Sequence, residues 1–289
     1  MQLALVTAMR SVTGPHRSDN QDSVACSTDY VFVADGVGGH VGGDVASWTV
    51  THRLIAGLAP LAARRLGESD LRTMVALANA ELRLRGDRDP AVAGMSTTLT
   101  GIFCADDAVR IVHIGDSRAY LVRDGEGRRM TRDDSLVQML LDSGTIDEAA
   151  APYHPHRNII LHSLGGDGED AAALTVTSVP AQVGDRWLLC SDGLTDYVDE
   201  GELLAELAAA GTAEEAADAL LRLAEEADSH DNVTVAVADV VAGEPADERD
   251  ETAAQGADTR ADDERPHRFL GAAADPAKGP VLDLTGRPA

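Results

Sequence analysis

Tyr30-Val-Phe-Val-Ala-Asp35-Gly36 is the stretch on which the fold is decided. The run is short and rich in β-branched and aromatic residues, and it has no polar alternation. It therefore reads as a strand buried on both faces. An aspartate closes it, with a glycine beside that aspartate. The arrangement recurs in Ile111-Val-His-Ile-Gly-Asp116-Ser117 and Trp187-Leu-Leu-Cys-Ser-Asp192-Gly193, and with the acid leading in Asp231-Asn232-Val-Thr-Val-Ala-Val-Ala238. Carboxylates at strand ends point into the cleft the sheets leave open. Like charges about 4 Å apart repel by roughly 4 kcal/mol at an effective dielectric near 20. Such a cluster either protonates or takes up cations, and hard oxygen ligands suit magnesium, manganese or calcium rather than zinc. The residues alone point to a metal-dependent hydrolase.

Outward from these segments, strands are expected at 2–9, 22–28, 30–35, 96–104, 108–114, 117–123, 159–164, 173–178, 185–191 and 232–240. Helices are expected at about 43–59, 69–86, 134–143, 200–210 and 213–227, with Gly211 separating the last two. Strict alternation of strand and helix fails. That pattern predicts an α+β protein of antiparallel sheets packed together with helices outside. Met130 to Gly166, with the loop Tyr153-His-Pro-His-Arg-Asn158, interrupts the strands and reads as a lid or binding loop.

The formal net charge of −25 argues against nucleic acid or an anionic membrane as the main partner, because both need basic surface. No apolar run is long enough for a transmembrane helix, and the apolar start, Met1 to Arg10, reads as a strand rather than a signal peptide. Cys26, Cys104 and Cys190 are an odd, unclustered set, expected to be reduced core thiols in a cytoplasmic protein. Residues 1–242 are expected to form one domain. From Gly243 to Ala289, charge mixed with Ala, Gly and Pro shows no apolar period, and the expectation is a disordered acidic tail.

Each motif also has a bland reading. Arg17-Ser-Asp-Asn-Gln-Asp22 alone is a surface loop with a local ion pair, although an arginine beside metals binds phosphate bidentately. Asp35-Gly-Val-Gly-Gly-His40-Val-Gly-Gly-Asp44 leads into a helix without Walker or dinucleotide spacing, and His40 reads as a structural hydrogen-bonding residue. Asp116 or Asp192 singly would be a hairpin turn, and Asp231 a turn cap. Four such coincidences in one chain favour a shared site.

The ordered set is specific. Arg17 to Asp22, Asp35 to Gly39, Gly94-Met-Ser-Thr-Thr98, Gly115-Asp-Ser-Arg118, Ser191-Asp-Gly-Leu194 and His230-Asp-Asn-Val-Thr234 together resemble the PPM family, the type 2C metal-dependent serine/threonine protein phosphatases. The resemblance spans about residues 5–240 and looks like a stand-alone bacterial member. It implies a four-layer α/β/β/α sandwich of two antiparallel sheets flanked by helix pairs, with a flap at about 131–166. It implies hydrolysis of phosphoserine and phosphothreonine on proteins by water activated between two manganese or magnesium ions. Asp35 would bridge the ions with the Gly36 carbonyl as a further ligand, and Asp192 and Asp231 would complete the first ion. Asp116 would hold a weaker third ion with Asp192. Arg17 would bind the substrate phosphate, Asp22 would orient the attacking water, and Asn158 would be an auxiliary contact on the flap. Phosphorylated proteins, a serine/threonine kinase and its targets are the partners implied, in signal transduction, for a monomer with no membrane tether.

Two positions depart from the family pattern. Val37 stands where eukaryotic members often carry a histidine proposed as general acid, and Gln21 where many relatives carry a carboxylate. The alternative is a catalytically weak phosphoprotein-binding module of the same fold. A phosphodiesterase or nuclease with the same metal logic is disfavoured by the acidic balance.

Overall fold

All five residues of β3 (Tyr30–Ala34) are buried, as are all four of β2 (Ser23–Cys26) and all six of β6 (Leu99–Cys104). Strands sealed on both faces need a layer above and a layer below. The computed structural model, which describes residues 2–37, 42–58, 66–105, 107–243 and 267–284, shows both layers. Side chains alternate across a strand, so Tyr30 and Phe32 face one way and Val31 and Val33 the other. The first pair packs with Leu54 of α1 (Gly43–Leu58) and with Leu71, Val75 and Leu82 of α2 (Glu68–Arg88). The second pair meets Leu5, Leu121, Trp187, Leu189 and Ala236 of a second sheet.

That second sheet runs β1 (Leu3–Val12), β12 (Val233–Ala242), β11 (Arg186–Cys190), β8 (Arg118–Arg123) and β9 (Glu126–Arg129), antiparallel throughout. Its outer face, including Tyr120, Leu188, Val235 and Val237, is covered by Leu194 of α4 (Asp192–Thr195), Leu203 and Leu207 of α5 (Glu200–Ala209), and Ala216 and Leu220 of α6 (Ala213–Glu226). The first sheet has the order β10 (Thr175–Pro180), β7 (Ala108–Ile114), β6, β3, β2 and β13 (Arg268–Gly271). A small pair, β4 (Gly36–Val37) and β5 (Ser96–Thr97), sits at the mouth between the sheets. The layering is the α/β/β/α sandwich expected.

Local chemistry sets the helix ends. Thr212 accepts from the Glu215 amide at 3.1 Å while Glu215 accepts from the Thr212 amide at 3.1 Å, a reciprocal capping box at the start of α6. Ser135 caps α3 (Leu136–Asp142) through the Gln138 amide at 3.2 Å.

Three expectations fail. Residues 159–164 are not a strand; they make isolated bridges, Ser135 to Ile160 and Thr97 to Leu164, and Ile159 and Leu161 stay exposed over the surface. β9 and α4 were not anticipated. The acidic tail expected over 243–289 is not structureless throughout: within it, residues 267–284 pack on the domain, and β13 pairs with β2 in the register Arg268 to Cys26 through Gly271 to Ser23. The physical reason is an edge. Without β13, β2 would present a row of unpaired backbone groups, and a short run, Phe269-Leu270, is enough to cover it. Residues 244–266 and 285–289 lie outside the described residues, as do 38–41 with His40.

Candidate active site

Each sheet delivers carboxylates to one end of the sandwich. Asp35 follows β3 directly. Its amide donates to Thr98 Oγ1 at 3.0 Å, and its carbonyl accepts from the Thr98 amide at 2.9 Å and Thr97 Oγ1 at 2.8 Å. Asp116 sits in the turn from β7 to β8, held by a pair of bonds in which the Gly115 amide donates to Asp134 Oδ2 and the Asp134 amide to the Gly115 carbonyl. Asp192 opens α4 at the end of β11, and Asp231 stands just before β12. Asp22 stands just before β2. It is 1% exposed and accepts from Ser191 Oγ at 2.8 Å.

Gly36 continues from Asp35 into the closest backbone packing of the site. A Cβ there would lie 2.4 Å from the Gly43 carbonyl, and one on Gly43 would lie 2.9 Å from the Gly36 carbonyl oxygen. Only glycines allow the α1 N-terminus to press against this strand end. Gln21 is fixed in the same corner, its amide donating to Asn232 Oδ1 at 2.9 Å and its carbonyl accepting from Ser47 Oγ at 2.6 Å.

The electrostatics show that these groups share one space. Asp35 and Asp192 are half-buried. Burial raises Asp35 well above the ordinary carboxylate range, and the charges of Asp22, Asp192, Asp116 and Asp231 raise it further. Asp192 is raised in the same way, by burial and then by Asp116, Asp196, Asp231 and Asp22. Burial pushes Asp116 up to about 7, with Asp133 and Asp196 adding to it. Asp22 is pushed up to about 6 by burial, against opposing hydrogen bonds from Thr234 and Ser191.

Among the described residues no three acidic, imidazole or thiol side chains close on one point as a finished coordination shell. The mutual repulsion nevertheless places the aspartates within each other's fields, and like charges hold one another apart. The donor set fits hard divalent cations. It is all oxygen, it includes a backbone carbonyl at Gly36, and Asp116 Oδ1 is buried without a hydrogen-bond partner. It does not fit zinc, since Cys26, Cys104 and Cys190 are buried in the sheets. Burial pushes the Cys190 thiol up to about 12, which leaves no thiolate nucleophile.

Arg17 reaches the cluster from the loop after β1. Its Nη2 lies 2.5 Å from Asp231 Oδ2, with the arginine side chain 40% exposed. The rings of His16 and His230, neighbours in sequence of this pair, pack 4.2 Å apart. Arg17, Asp22, Asp35, Asp116, Asp192 and Asp231 thus stand at one end of the sandwich, with Gly36 next to Asp35.

Sequence reasoning missed two further acids. Asp196 lies one helical turn after Asp192, its amide donating to the Asp192 carbonyl at 2.8 Å, and it contributes to the fields at Asp116 and Asp192. The four-residue spacing in Asp192-Gly-Leu-Thr-Asp196 was the available clue. Asp133 acts on Asp116 from β9's side and is itself held by Arg118 at 2.7 Å and by Arg129. On the segment expected to be a flap, Asn158 is exposed, and its neighbour Arg157 approaches Asp196 at 3.8 Å.

Two packed antiparallel sheets that bring Asp22, Asp35, Asp116, Asp192 and Asp231 to one end, with Arg17 beside them, match the fold and site that the motifs' resemblance to the type 2C protein phosphatases implies. The family profile for protein phosphatase 2C matches residues 14–231. The chain belongs to that family.

The chain is 42% identical over 242 residues to the serine/threonine protein phosphatase PstP of Mycobacterium tuberculosis, covering 83% of this chain and 46% of that protein. It is 40% identical over 210 residues to the serine/threonine phosphatase stp of Listeria monocytogenes, covering 71% of this chain and 82% of that one. The crystal structure of the PstP catalytic domain in complex with two manganese ions superposes with a TM-score of 0.74 at 40% identity, covering 83% of this chain and all of that one. The chain therefore spans about half the length of the mycobacterial relative.

Proposed function

We propose that this chain removes phosphate from phosphoserine and phosphothreonine side chains of proteins, with manganese or magnesium as cofactor. One observation carries the reading. Burial, and then the charges of Asp22, Asp116 and Asp231, raise both Asp35 and Asp192 well above the ordinary carboxylate range where two sheets end, which is a charge arrangement that asks for divalent cations rather than for packing.

Asp35, the Gly36 carbonyl, Asp192 and Asp231 are the groups assigned to two ions, with Asp116 and Asp192 on a weaker third. Bound there, the ions supply Lewis acidity toward phosphoryl oxygens and a more acidic water. The chain's own residues do the rest. Arg17, on an exposed side chain paired with Asp231, is free to turn its second guanidinium edge to the phosphate and neutralise charge there. Asp22, whose Oδ2 accepts from the Ser191 hydroxyl, is the carboxylate assigned to orient the attacking water. Val37 offers no proton to the departing seryl or threonyl oxygen.

Among the described residues no helix is long and apolar enough to cross a membrane. We assign the chain to the cytoplasm, acting as a monomer on phosphoproteins in signal transduction, opposite a serine/threonine kinase. The test is hydrolysis of an aryl phosphate and of a phosphothreonine peptide, with and without manganese. Turnover that a chelator abolishes is expected, and undiminished turnover in protein shown to be metal-free overturns the reading.

A further inference from the structure

The family match ends at residue 231, yet residues 267–284 are bound into the wall of the acid cluster. We infer that this C-terminal strap is a positioning element of the active site, gripping it at two points, the backbone of Asp22 and the N-terminus of α1. The inference rests on the function proposed above and concerns this chain's own residues.

The first grip is at the end of β13. The Ala272 amide donates to the Asp22 carbonyl at 2.7 Å. Gly271 has φ +68°, and a Cβ there would lie 2.1 Å from the Asp22 carbonyl oxygen and 2.9 Å from Ser11 Oγ. Ser11 Oγ in turn bonds Thr234 Oγ1 at 2.8 Å and accepts from Asn20 Nδ2 at 2.9 Å. The strap therefore presses on the residue that faces Asp35 and on the hydroxyl network behind it. The second grip is Lys278, whose ammonium pairs with Asp44 in the first turn of α1. Asp44 adjoins Gly43, which packs on the Gly36 carbonyl.

Between and beyond the grips the strap is anchored. Tyr30 Oη bonds His267 Nδ1 at 2.6 Å, and Phe269 stacks on His52 at 5.0 Å, which stacks on Trp48 at 4.2 Å. Glu81, fully buried, is held by Arg53 and Arg85 and accepts from the Leu282 amide at 3.0 Å. Arg85 also donates to the Pro280 carbonyl at 2.7 Å. An edge cover alone would need β13; it would not need Lys278 at the head of α1 or a glycine seated on Asp22.

The experiment compares the full chain with Gly271→Ala, which forces the strap off Asp22, and Lys278→Met, which loosens the second grip without backbone strain. Manganese affinity by calorimetry, and kcat and KM on an aryl phosphate, are read well below the melting temperature. Thr212→Ala, at the far end of α6, is the control for simple destabilisation. Groups that orient ligating residues change metal affinity by ~10-fold or more when lost. Each strap variant is expected to lose manganese affinity by about that factor and to lose kcat with little change in KM, while the control keeps both. If Gly271→Ala does not fold, Lys278→Met decides. Unchanged manganese affinity in the folded strap variants, or an equal loss in the control, overturns the inference. If the wild-type chain hydrolyses no phosphomonoester, the proposed function falls, and the calorimetric affinities still decide the strap.

Discussion

Asp192 lies in the combined field of Asp116, Asp196, Asp231 and Asp22. An asparagine in its place keeps the shape and removes one repelling charge. Asp192→Asn should therefore abolish metal-dependent turnover while raising the melting temperature of chelated protein at neutral pH. Calorimetric melting checks this, and a variant inactive only because it unfolds would make the residue structural. Arg17 makes a different kind of contact, exposed and paired to Asp231 by one edge. Hydrogen bonds to charged groups contribute about 1.5–3 kcal/mol, so Arg17→Ala should lower kcat/KM by roughly 10- to 100-fold. Its manganese affinity should hardly change, because the arginine is not a ligand. Equal losses in both would return Arg17 to the role of an ion-pair partner.

At the scale of elements, α6 offers a clean separation of stability from chemistry. Thr212→Ala deletes half of the capping box, which typically costs about 1 kcal/mol. That corresponds to ~2–4 °C in Tm for a domain of this size, and kcat on an aryl phosphate should not move. The same helix shows what was legible in the sequence, since helix propensity and the separating Gly211 placed it at about 213–227 and it spans Ala213–Glu226. β3 was legible for another reason: a run with no polar residue had to be covered on both faces, and Asp35 at its end had to look outward. Asp116, Asp192 and Asp231 followed by the same logic, whereas Asp22 was legible only through the resemblance its Arg17–Asp22 motif carries. What was not legible depended on partners distant in sequence. Residues 159–164 have strand-like composition, but they form only isolated bridges, to Ser135 and Thr97. Asp196 and Asp133 matter through neighbours that sequence spacing only partly reveals. β13 was assigned to the tail because an average over a charged stretch outweighs the short apolar run that answers the open edge of β2.

The whole molecule carries a formal charge of −25 and concentrates part of it in one cleft, so its stability should depend on pH in an unusual direction. Asp22 at about 6 and Asp116 at about 7, with Asp35 and Asp192 also raised, bind protons more tightly folded than unfolded. For carboxyls raised in this way, the stabilisation is complete below the unfolded value, near 4, and is lost as pH climbs through the folded values. Ordinary surface carboxylates are already ionised above pH 5.5 and contribute little slope beyond it. Chelated protein should therefore melt several degrees lower at pH 7.5 than at pH 5.5, the reverse of a protein held together by ionised carboxylates. Asp116→Asn removes one of the titrating groups and should flatten the slope. Manganese at pH 7.5 supplies the missing positive charge and should restore the melting temperature by mass action on the folded state. Differential scanning calorimetry of the chelated chain across that range, with and without added manganese, is the measurement. A flat profile, or one rising toward pH 7.5, would mean that the four carboxyls do not share one field, and the cluster would lose its claim to be a cation site.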